Sequence, residues 1–331
     1  MDKAEVKALA VFSGGLDSIL AVKLVQDQGI KVEAVTFVTP FNTARGDGFN
    51  ASKAAEKLHI PLKVVDLGRE YLKVLRKPKH GYGRYMNPCI DCRILMLRKA
   101  KKYAEEVGAA FIFTGEVLGE RPMSQNFKAL KTIEEEAGLK GKVLRPLSAR
   151  LLPKTEAEKK GLVDRNKLLD ICGKSRKRQI ALARMFGVTE YQSPAGGCLL
   201  TYKEFSAKLS DLLKHKKQVS MRDVELLKLG RHFRFCRNKI IVGRNEEENK
   251  DLLKLKAKEE YFFEVQNFGS PITLLQGPKI KKAIEKAAEL TAYYSDQKNG
   301  KVYVKYGREK LEKSISVCIP KKEEVEKMRI K

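Results

Sequence analysis

The chain has 331 residues, enough for two or three domains that each bury a core. No apolar run reaches the roughly 18 residues of a membrane span, and the first five residues lack the apolar segment of a secretory signal, so we expect a cytoplasmic protein. Lys and Arg outnumber Asp and Glu by 67 to 41, and the net charge of +26 favours a polyanion such as RNA or DNA as partner. A thermophilic, lysine-rich composition would explain the number of charges but not this surplus.

Strand and helix patterns alternate through the first half of the chain. Short apolar runs predict strands at 7–12, 31–37, 62–65 and 110–114, and amphipathic stretches predict helices at 16–28, 50–58 and 90–107. Strands that alternate with helices of this length predict an α/β fold with a parallel sheet covered on both faces. In such sheets, ligands bind beyond the carboxyl ends of the strands.

The pattern continues to about residue 200 and then changes. We predict a strand at 143–147, helices near 155–160 and 175–186, and a glycine-containing loop at 192–197. After residue 201, short strand-like pieces at 233–235, 239–242, 261–265 and 301–305 lie between turns and Lys- and Glu-rich helical stretches. We therefore predict two domains, an α/β domain at 1–200 and a basic α+β module at 201–331.

A glycine loop follows the first predicted strand. Residues 13–18 (SGGLDS) contain Gly14 and Gly15, which allow a tight turn and the close approach of an anion. The following helix would offer free N–H groups and its positive dipole end to that anion. Ser13 and Ser18 could donate to phosphate oxygens, and Asp17 could hold Mg²⁺. A plain strand–helix turn, with Ser or Asp as the N-cap, is the alternative interpretation.

The same six residues resemble the PP-loop of the ATP pyrophosphatase superfamily, whose fold is also described as adenine nucleotide alpha hydrolase-like. Neither the G-x-x-x-x-G-K-[ST] loop nor the G-x-G-x-x-G dinucleotide pattern is present here. Members of this superfamily cleave ATP between the α and β phosphates, transfer AMP to a substrate oxygen and release pyrophosphate. The resemblance therefore implies ATP as cosubstrate, but it leaves the acceptor open.

Three cysteines form a candidate sulfur or metal site. Cys89 and Cys92 begin the helix predicted at 90–107, where its N-terminus and Arg93 should lower their pKa, and Cys198 follows a run of small residues. Three thiolates without an obvious fourth ligand would leave one iron of a [4Fe-4S] cluster open to hydrosulfide. A persulfide pair, a zinc site and structural thiols remain alternatives. The other three cysteines are expected to be ordinary buried thiols: Cys172, Cys236 and Cys318.

Three further segments narrow the family. Residues 92–98 (CRILMLR), 114–125 (TGEVLGERPMSQ) and 144–147 (LRPL) resemble the catalytic domain of tRNA 4-thiouridine synthetases, over residues 7–200. The spacing of the three cysteines is similar to that of iron–sulfur tRNA thiolases, which include 2-thiouridine synthetases. The resemblance implies ATP-dependent thiolation of a tRNA uridine, in which the carbonyl oxygen is adenylated and then replaced by sulfur.

The resemblance also implies roles for individual residues. Gly115 and Glu116 follow the strand predicted at 110–114, and would share a sheet edge with the glycine loop. Ser124 and Gln125 would orient ATP or the uridine, and Phe37 would lie beside adenine. Capping of the next helix is the alternative role for Glu116 and Gln125.

The RNA-binding part of the chain is predicted in the C-terminal module. Family members carry RNA-binding domains ahead of the loop, whereas here the loop begins at residue 13. Basic runs lie at 214–217, 231–235 and 279–282, and the run at 231–235 contains two Phe residues. Residues 243–249 (GRNEEEN) resemble an RNA-associated domain of ribosome quality-control factors. We therefore expect tRNA and a sulfur donor (hydrosulfide or a persulfide carrier) as partners, and a homodimer is left open.

The sequence thus leaves four functions open. 4-Thiouridine synthesis is preferred, and 2-thiouridine synthesis uses the same chemistry at another ring carbon. A PP-loop ligase or amidotransferase acting on a small metabolite fits the loop but not the net charge of +26 or the cysteines. A non-catalytic RNA-binding factor with a relic nucleotide fold would not depend on Asp17.

Overall fold

A computed structural model describes residues 6–43, 49–191 and 197–331, apart from the side chain of Phe49. The chain divides into two compact units, Met1–Thr201 (unit 1) and Tyr202–Lys331 (unit 2). Among the described residues, no helix is both long and apolar enough to cross a membrane. The loop predicted at 192–197 lies outside the described residues except for Gly197.

Unit 1 contains a five-stranded parallel sheet with the strand order β3-β2-β1-β4-β5. Its strands are β1 (Lys7–Val11), β2 (Lys31–Val38), β3 (Leu62–Asp66), β4 (Phe111–Thr114) and β5 (Val143–Leu144). β1 lies in the middle of the sheet, between β2 and β4. The carboxyl ends of these three strands therefore meet at one edge.

The described residues of unit 1 form seven α-helices: α1 (Leu16–Gln26), α2 (Phe49–Lys57), α3 (Gly68–Arg76), α4 (Cys89–Glu106), α5 (Phe127–Ala137), α6 (Glu156–Lys159) and α7 (Lys177–Met185). Two groups of helices pack near the sheet: α1 packs with α7, and α4 packs with α3 and α5. Apolar side chains of β1, β2, β4, α1 and α2 form the main core, which excludes water from the sheet.

The α/β fold with a parallel sheet is confirmed, and two details differ from the prediction. Helices α3 and α5 were not predicted. The fifth strand was predicted to reach residue 147 but ends at Leu144. Beyond it, Arg145 is buried in ion pairs, and Pro146 has no N–H to offer a neighbouring strand.

Unit 2 contains a six-stranded antiparallel sheet with the order β11-β10-β8-β9-β7-β6. Its strands are β6 (Arg231–Phe235), β7 (Asn238–Val242), β8 (Tyr261–Val265), β9 (Thr273–Gln276), β10 (Lys301–Gly307) and β11 (Lys313–Cys318). Its helices are α8 (Lys203–His215), α9 (Met221–Lys228), α10 (Glu246–Leu255), α11 (Lys281–Tyr293) and α12 (Lys322–Met328). The predicted α+β character is confirmed, although β9 and β11 were not predicted.

Different helices cover the two faces of the unit 2 sheet. Alanines of α11 pack with Val302, Val304 and Val317 in one apolar cluster. Leu226 of α9 and Leu252 of α10 pack in a second cluster with residues of β7, β8 and β9. The second cluster contains no residue of β10 or β11, so these two strands are covered mainly by α11 on one face.

The expectation of three ordinary buried thiols is wrong. Cys172, Cys236 and Cys318 are all exposed to solvent. Cys236 lies in the tight turn between β6 and β7 with a φ of 50°, and Cys318 ends the edge strand β11. Turns lie at the surface, and Cys318 points to the opposite face of β11 from the buried Val317.

Candidate functional site

The glycine loop joins β1 to α1 at the carboxyl edge of the sheet. Gly15 is the N-cap of α1, and no side chain caps the helix, so the first N–H groups keep the anion-binding capacity of a helix N-terminus. The Ser18 hydroxyl donates to the Gly15 carbonyl at 2.8 Å and holds the turn closed.

Two glycines permit the close packing of this loop. Gly14 has a φ of +71°, and a Cβ there would lie 2.8 Å from the backbone of Ala51. A Cβ on Gly115, just after β4, would lie 2.5 Å from the backbone nitrogen of Ser18. Larger residues at either position would push the neighbouring backbone away and distort the edge of the sheet.

The Asp17 carboxylate points from the first turn of α1 toward Arg176. Its Oδ2 accepts from Arg176 Nη2 at 2.8 Å, and the same nitrogen donates to Glu120 at 3.1 Å. Its Oδ1 is buried and no described residue donates to it with ordinary hydrogen-bond geometry, although the Gln179 amide lies close enough to lower the pKa of Asp17. Burial and the nearby Glu120 carboxylate raise the pKa of Asp17, although Arg176 opposes them.

Glu116 lies between two buried arginines at the end of β4. Its carboxylate is 3.4 Å from Arg93 and 3.2 Å from Arg145, and Thr114 donates to it at 3.2 Å. Burial opposes its ionisation, but the two guanidinium groups prevail and lower its pKa. Glu116 therefore remains a carboxylate that positions Arg93.

The three cysteines reach the site from two distant segments. Cys89 and Cys92 lie in the first turn of α4, and Asn87 donates to the Cys89 sulfur at 3.3 Å. Cys198 arrives because its segment pairs with the chain after β2: Asn42 forms an antiparallel bridge with Cys198, and Leu199 N donates to Phe41 O at 2.8 Å.

The expected lowering of the cysteine pKa is wrong for this conformation. Burial raises the pKa of Cys92 to about 12 and that of Cys198 to about 11, and it also raises that of Cys89. Arg93 does act in the expected direction on Cys89 and Cys92, but desolvation of a thiolate outweighs it.

One cavity of about 330 Å³ connects these groups. Of the residues predicted for the site, those that line it are Ser13, Gly15, Asp17, Ser18, Phe37, Cys89, Cys92, Gly115, Glu116, Gln125 and Cys198, and Ser124 lines it too. Gly14 lies beside Ala51 and does not line the cavity. Gln125 does not cap α5, because Asn126 is its N-cap.

Several lining residues were not predicted for the site. They include Arg121, Arg176 and Tyr71, and also Arg93, which was considered only for its effect on the cysteines. The Tyr71 hydroxyl is buried near Cys92. Burial and the neighbouring Cys92 raise the pKa of Tyr71, whereas the hydrogen bond with Tyr71 acts to lower the pKa of Cys92. These residues come from separate segments that only the fold brings together, and a single arginine or tyrosine in a helix or a turn gives no local signal of a site.

The arrangement of the three cysteines bears on which metal group they could bind. In the part of the chain that the structure describes, no group of three or more His, Cys, Asp or Glu side chains converges on a single metal ion. The three thiols do line one cavity, and their charges interact. In an iron–sulfur cluster each cysteine binds a separate iron, so such thiols need not converge on one point, and the donor set fits a cluster.

Both units match known families. Residues 4–156 match the family model described as "Thiamine biosynthesis protein (ThiI)", and residues 230–329 match "NFACT protein RNA binding domain". These matches confirm the two resemblances found in the sequence. Residues 4–156 are thus similar to ThiI-type proteins, and residues 230–329 are similar to NFACT RNA-binding domains.

Two curated relatives are each similar to about a third of the chain. The tRNA-specific 2-thiouridylase MnmA of Syntrophotalea carbinolica is 36% identical over 117 residues, which cover 32% of this chain and 33% of that protein. A probable tRNA sulfurtransferase of Thermotoga maritima is 34% identical over 124 residues, covering 34% of this chain and 30% of the relative. The chain thus spans about a third of the length of these relatives.

A solved structure described as a 4-thiouridine synthetase–RNA complex with bound ATP is 23% identical. It covers 67% of this chain and 52% of its own, with a TM-score of 0.37. A superposition at that level does not bear on function.

Proposed function

We propose that the protein is an ATP-dependent tRNA sulfurtransferase, which adenylates a uridine carbonyl oxygen and replaces that oxygen with sulfur. The observation that carries the proposal is one cavity that joins an uncapped helix N-terminus to three cysteines from two distant segments. Phosphate-binding and sulfur-carrying groups in a single cavity fit an enzyme that activates and thiolates the same substrate atom.

The ATP-binding half rests on the loop at 13–18 and the arginines around it. The triphosphate would accept from the free N–H groups of α1, and Arg93, Arg121 and Arg176 would neutralise its charge. The unpartnered Oδ1 of Asp17 is the oxygen available to Mg²⁺. The uridine oxygen then attacks the α-phosphate, and pyrophosphate leaves.

The sulfur-binding half rests on Cys89, Cys92 and Cys198. A [4Fe-4S] cluster held by these thiolates would supply an open coordination position for hydrosulfide. Tyr71 and Asn87 would position Cys92 and Cys89 from behind. Hydrosulfide attacks the adenylated ring carbon, and AMP leaves with the original oxygen.

Capture of tRNA is assigned to unit 2. Its sequence carries 31 Lys and Arg against 19 Asp and Glu, a surplus of 12. The match to an RNA-binding domain over residues 230–329 supports the same assignment. Unit 2 would hold the tRNA while one unpaired uridine enters the cavity of unit 1.

We propose the C4 oxygen of uridine as the reacting atom, because the ThiI-type match is the more extensive one. The similarity to 2-thiouridylases supports a second candidate, thiolation at C2. The mass of the product is the same for both, whereas the chromatographic retention of the nucleoside differs.

The experiment combines anaerobic protein, unmodified tRNA, ATP, Mg²⁺ and sulfide, followed by nucleoside mass spectrometry against 4-thiouridine and 2-thiouridine standards. Thiolated uridine that requires ATP, together with one AMP per sulfur, is the expected result. AMP formation driven by a small metabolite without tRNA would contradict the proposal and favour a ligase or amidotransferase.

Iron analysis tests the cysteine assignment. Cys198→Ser should lose both iron and thiolation, and Cys172→Ser, an exposed thiol in the same unit, should keep both. If the iron-free protein thiolates tRNA and this activity still requires Cys198, the cluster assignment is wrong and a persulfide mechanism is favoured.

A further inference from the structure

Strands β10 and β11 leave one face of the unit 2 sheet exposed. On their covered face, Val302 and Val304 are 0% exposed and pack in the cluster that contains α11. Side chains of a strand alternate between faces, so the intervening residues of β10 point away from α11. Among them Tyr303 is 65% exposed, the highest exposure of any aromatic side chain in the described residues.

The register of the two strands fixes what surrounds Tyr303. Directly opposite residues share a face in an antiparallel pair. The long side chains of β10 on this face are thus each paired with a short side chain of β11: Lys301 with Cys318, Tyr303 with Ser316, and Lys305 with Ser314. Short neighbours on the edge strand leave the ring of Tyr303 open.

The charge of this face is positive. Lys301 and Lys305 lie two residues on either side of Tyr303, about 7 Å from it along the strand. Neither lysine forms an ion pair within the described residues, although Glu264 of β8 lies opposite Lys305. The two strands contain three lysines and no acidic residue. A ring flanked by two free ammonium groups is complementary to a base flanked by phosphates.

The turn that follows β8 adds a second aromatic side chain. β8 ends at Val265, which pairs with Val304, so this turn emerges at the end of the sheet where β10 begins. Phe268 in that turn is 51% exposed. The exposed face of β10 and β11 is called the tyrosine face below.

We propose that the tyrosine face binds unpaired nucleotides of RNA, with one base stacked on Tyr303 and the adjoining phosphates on Lys301 and Lys305. Paired bases are already stacked inside a duplex, so the ring selects a loop or a single-stranded end. This inference deepens the proposed function, because it assigns to a defined surface of unit 2 the tRNA capture on which that function rests.

The test measures the affinity of the full-length protein for three labelled probes: a tRNA transcript, a twelve-nucleotide oligouridylate and a blunt RNA duplex. Tyr303→Ala should weaken oligouridylate binding about 5- to 100-fold, because stacking on an aromatic side chain is lost. Tyr303→Phe should bind like wild type, and duplex binding should change little. Leu253→Ala, which shortens an exposed side chain of α10, is the matched control.

A pair of double variants tests the lysines. Log affinity for oligouridylate falls as log salt concentration rises, and the double variant Lys301→Ser with Lys305→Ser should make this negative slope less steep by about 1.4. Lys250→Ser with Lys254→Ser removes the same charge from α10, where both lysines are already paired with carboxylates, and should change the slope less. Equal slopes for the two double variants would assign the effect to net charge and overturn the proposal.

Two other outcomes would also overturn it. If Tyr303→Ala and Leu253→Ala bind oligouridylate with the same affinity, the ring of Tyr303 does not bind a base. A wild-type dimer that Tyr303→Ala converts to a monomer would assign the face to a second copy of the chain. Nucleoside analysis separates this proposal from the proposed function. If the wild-type protein thiolates tRNA but Tyr303→Ala binds oligouridylate as well as wild type does, only the tyrosine face is rejected. If binding depends on Tyr303 but the wild-type protein does not thiolate tRNA, only the proposed function is rejected.

Discussion

Both units bury charged side chains, but the settings differ. In unit 1 the charges surround a cavity, and Asp17 keeps a buried oxygen without a hydrogen-bond partner among the described residues. In unit 2 the buried Asp223 accepts from Lys216 and Ser220, and Glu248 accepts from Arg244 and a backbone N–H. A buried charge therefore indicates a ligand site where it faces a cavity with an atom unsatisfied, and a structural role where the protein satisfies it.

The largest effect should come from the unsatisfied group. Asp17→Asn keeps the shape of the side chain but removes the charge next to the proposed Mg²⁺, so the rate of AMP formation should fall about 100- to 1000-fold. The dissociation constant for tRNA should stay within about twofold, because RNA binding is assigned to unit 2. Steady-state AMP release and fluorescence titration measure the two quantities.

Asp27→Asn is the control for that variant. Asp27 is the exposed C-cap at the other end of α1 and should keep the wild-type rate. If Asp17→Asn also kept the wild-type rate of AMP formation, the unsatisfied Oδ1 of Asp17 would have no role in catalysis. An unsatisfied buried charge would then not indicate a ligand site in unit 1.

The next largest effect should be on stability. Glu116→Gln leaves Arg93 and Arg145 without the carboxylate between them, and removal of one partner from a buried ion pair costs about 3–5 kcal/mol. Calorimetry should show one unfolding transition at a lower temperature. Glu190→Gln breaks an exposed pair with Lys57 and should cost less than about 1 kcal/mol. Equal shifts for both variants would mean that the ion pairs of Glu116 do not hold unit 1 together.

Most strands of unit 1 could be predicted from sequence, because each is a short apolar run next to an amphipathic helix. β11 (Lys313–Cys318) was missed because an edge strand exposes most of its side chains and shows no apolar run. Helix α3 was missed because it buries only Tyr71 and Leu75.

The candidate site also has a part that could be predicted from the sequence and a part that could not. The loop at 13–18 is contiguous, so its residues were visible in the sequence as a group. Arg176 lies 159 residues from Asp17, and only the folded chain shows that they touch. The direction of the cysteine pKa was mispredicted because Arg93 is a neighbour in sequence, whereas the burial that outweighs it is a property of the fold.

The smallest effect concerns a buried lysine of unit 2, whose ammonium group lies 3.9 Å from Asp211. Lys239 is 5% exposed, and burial lowers the pKa of its ammonium group to about 8, against about 10.4 in the unfolded chain. Between these pH values Lys239 binds more protons in the unfolded state than in the folded state, so its contribution to the free energy of unfolding should rise with pH, by about 1–3 kcal/mol. Lys239→Met removes this titration, whereas Lys282→Met, an exposed change on α11, should retain it. Urea unfolding at pH 7.5 and at pH 10 measures the difference. The same change in free energy with pH in wild type and in Lys239→Met would show that Lys239 is solvated, and that unit 2 does not carry the cost of a buried charge.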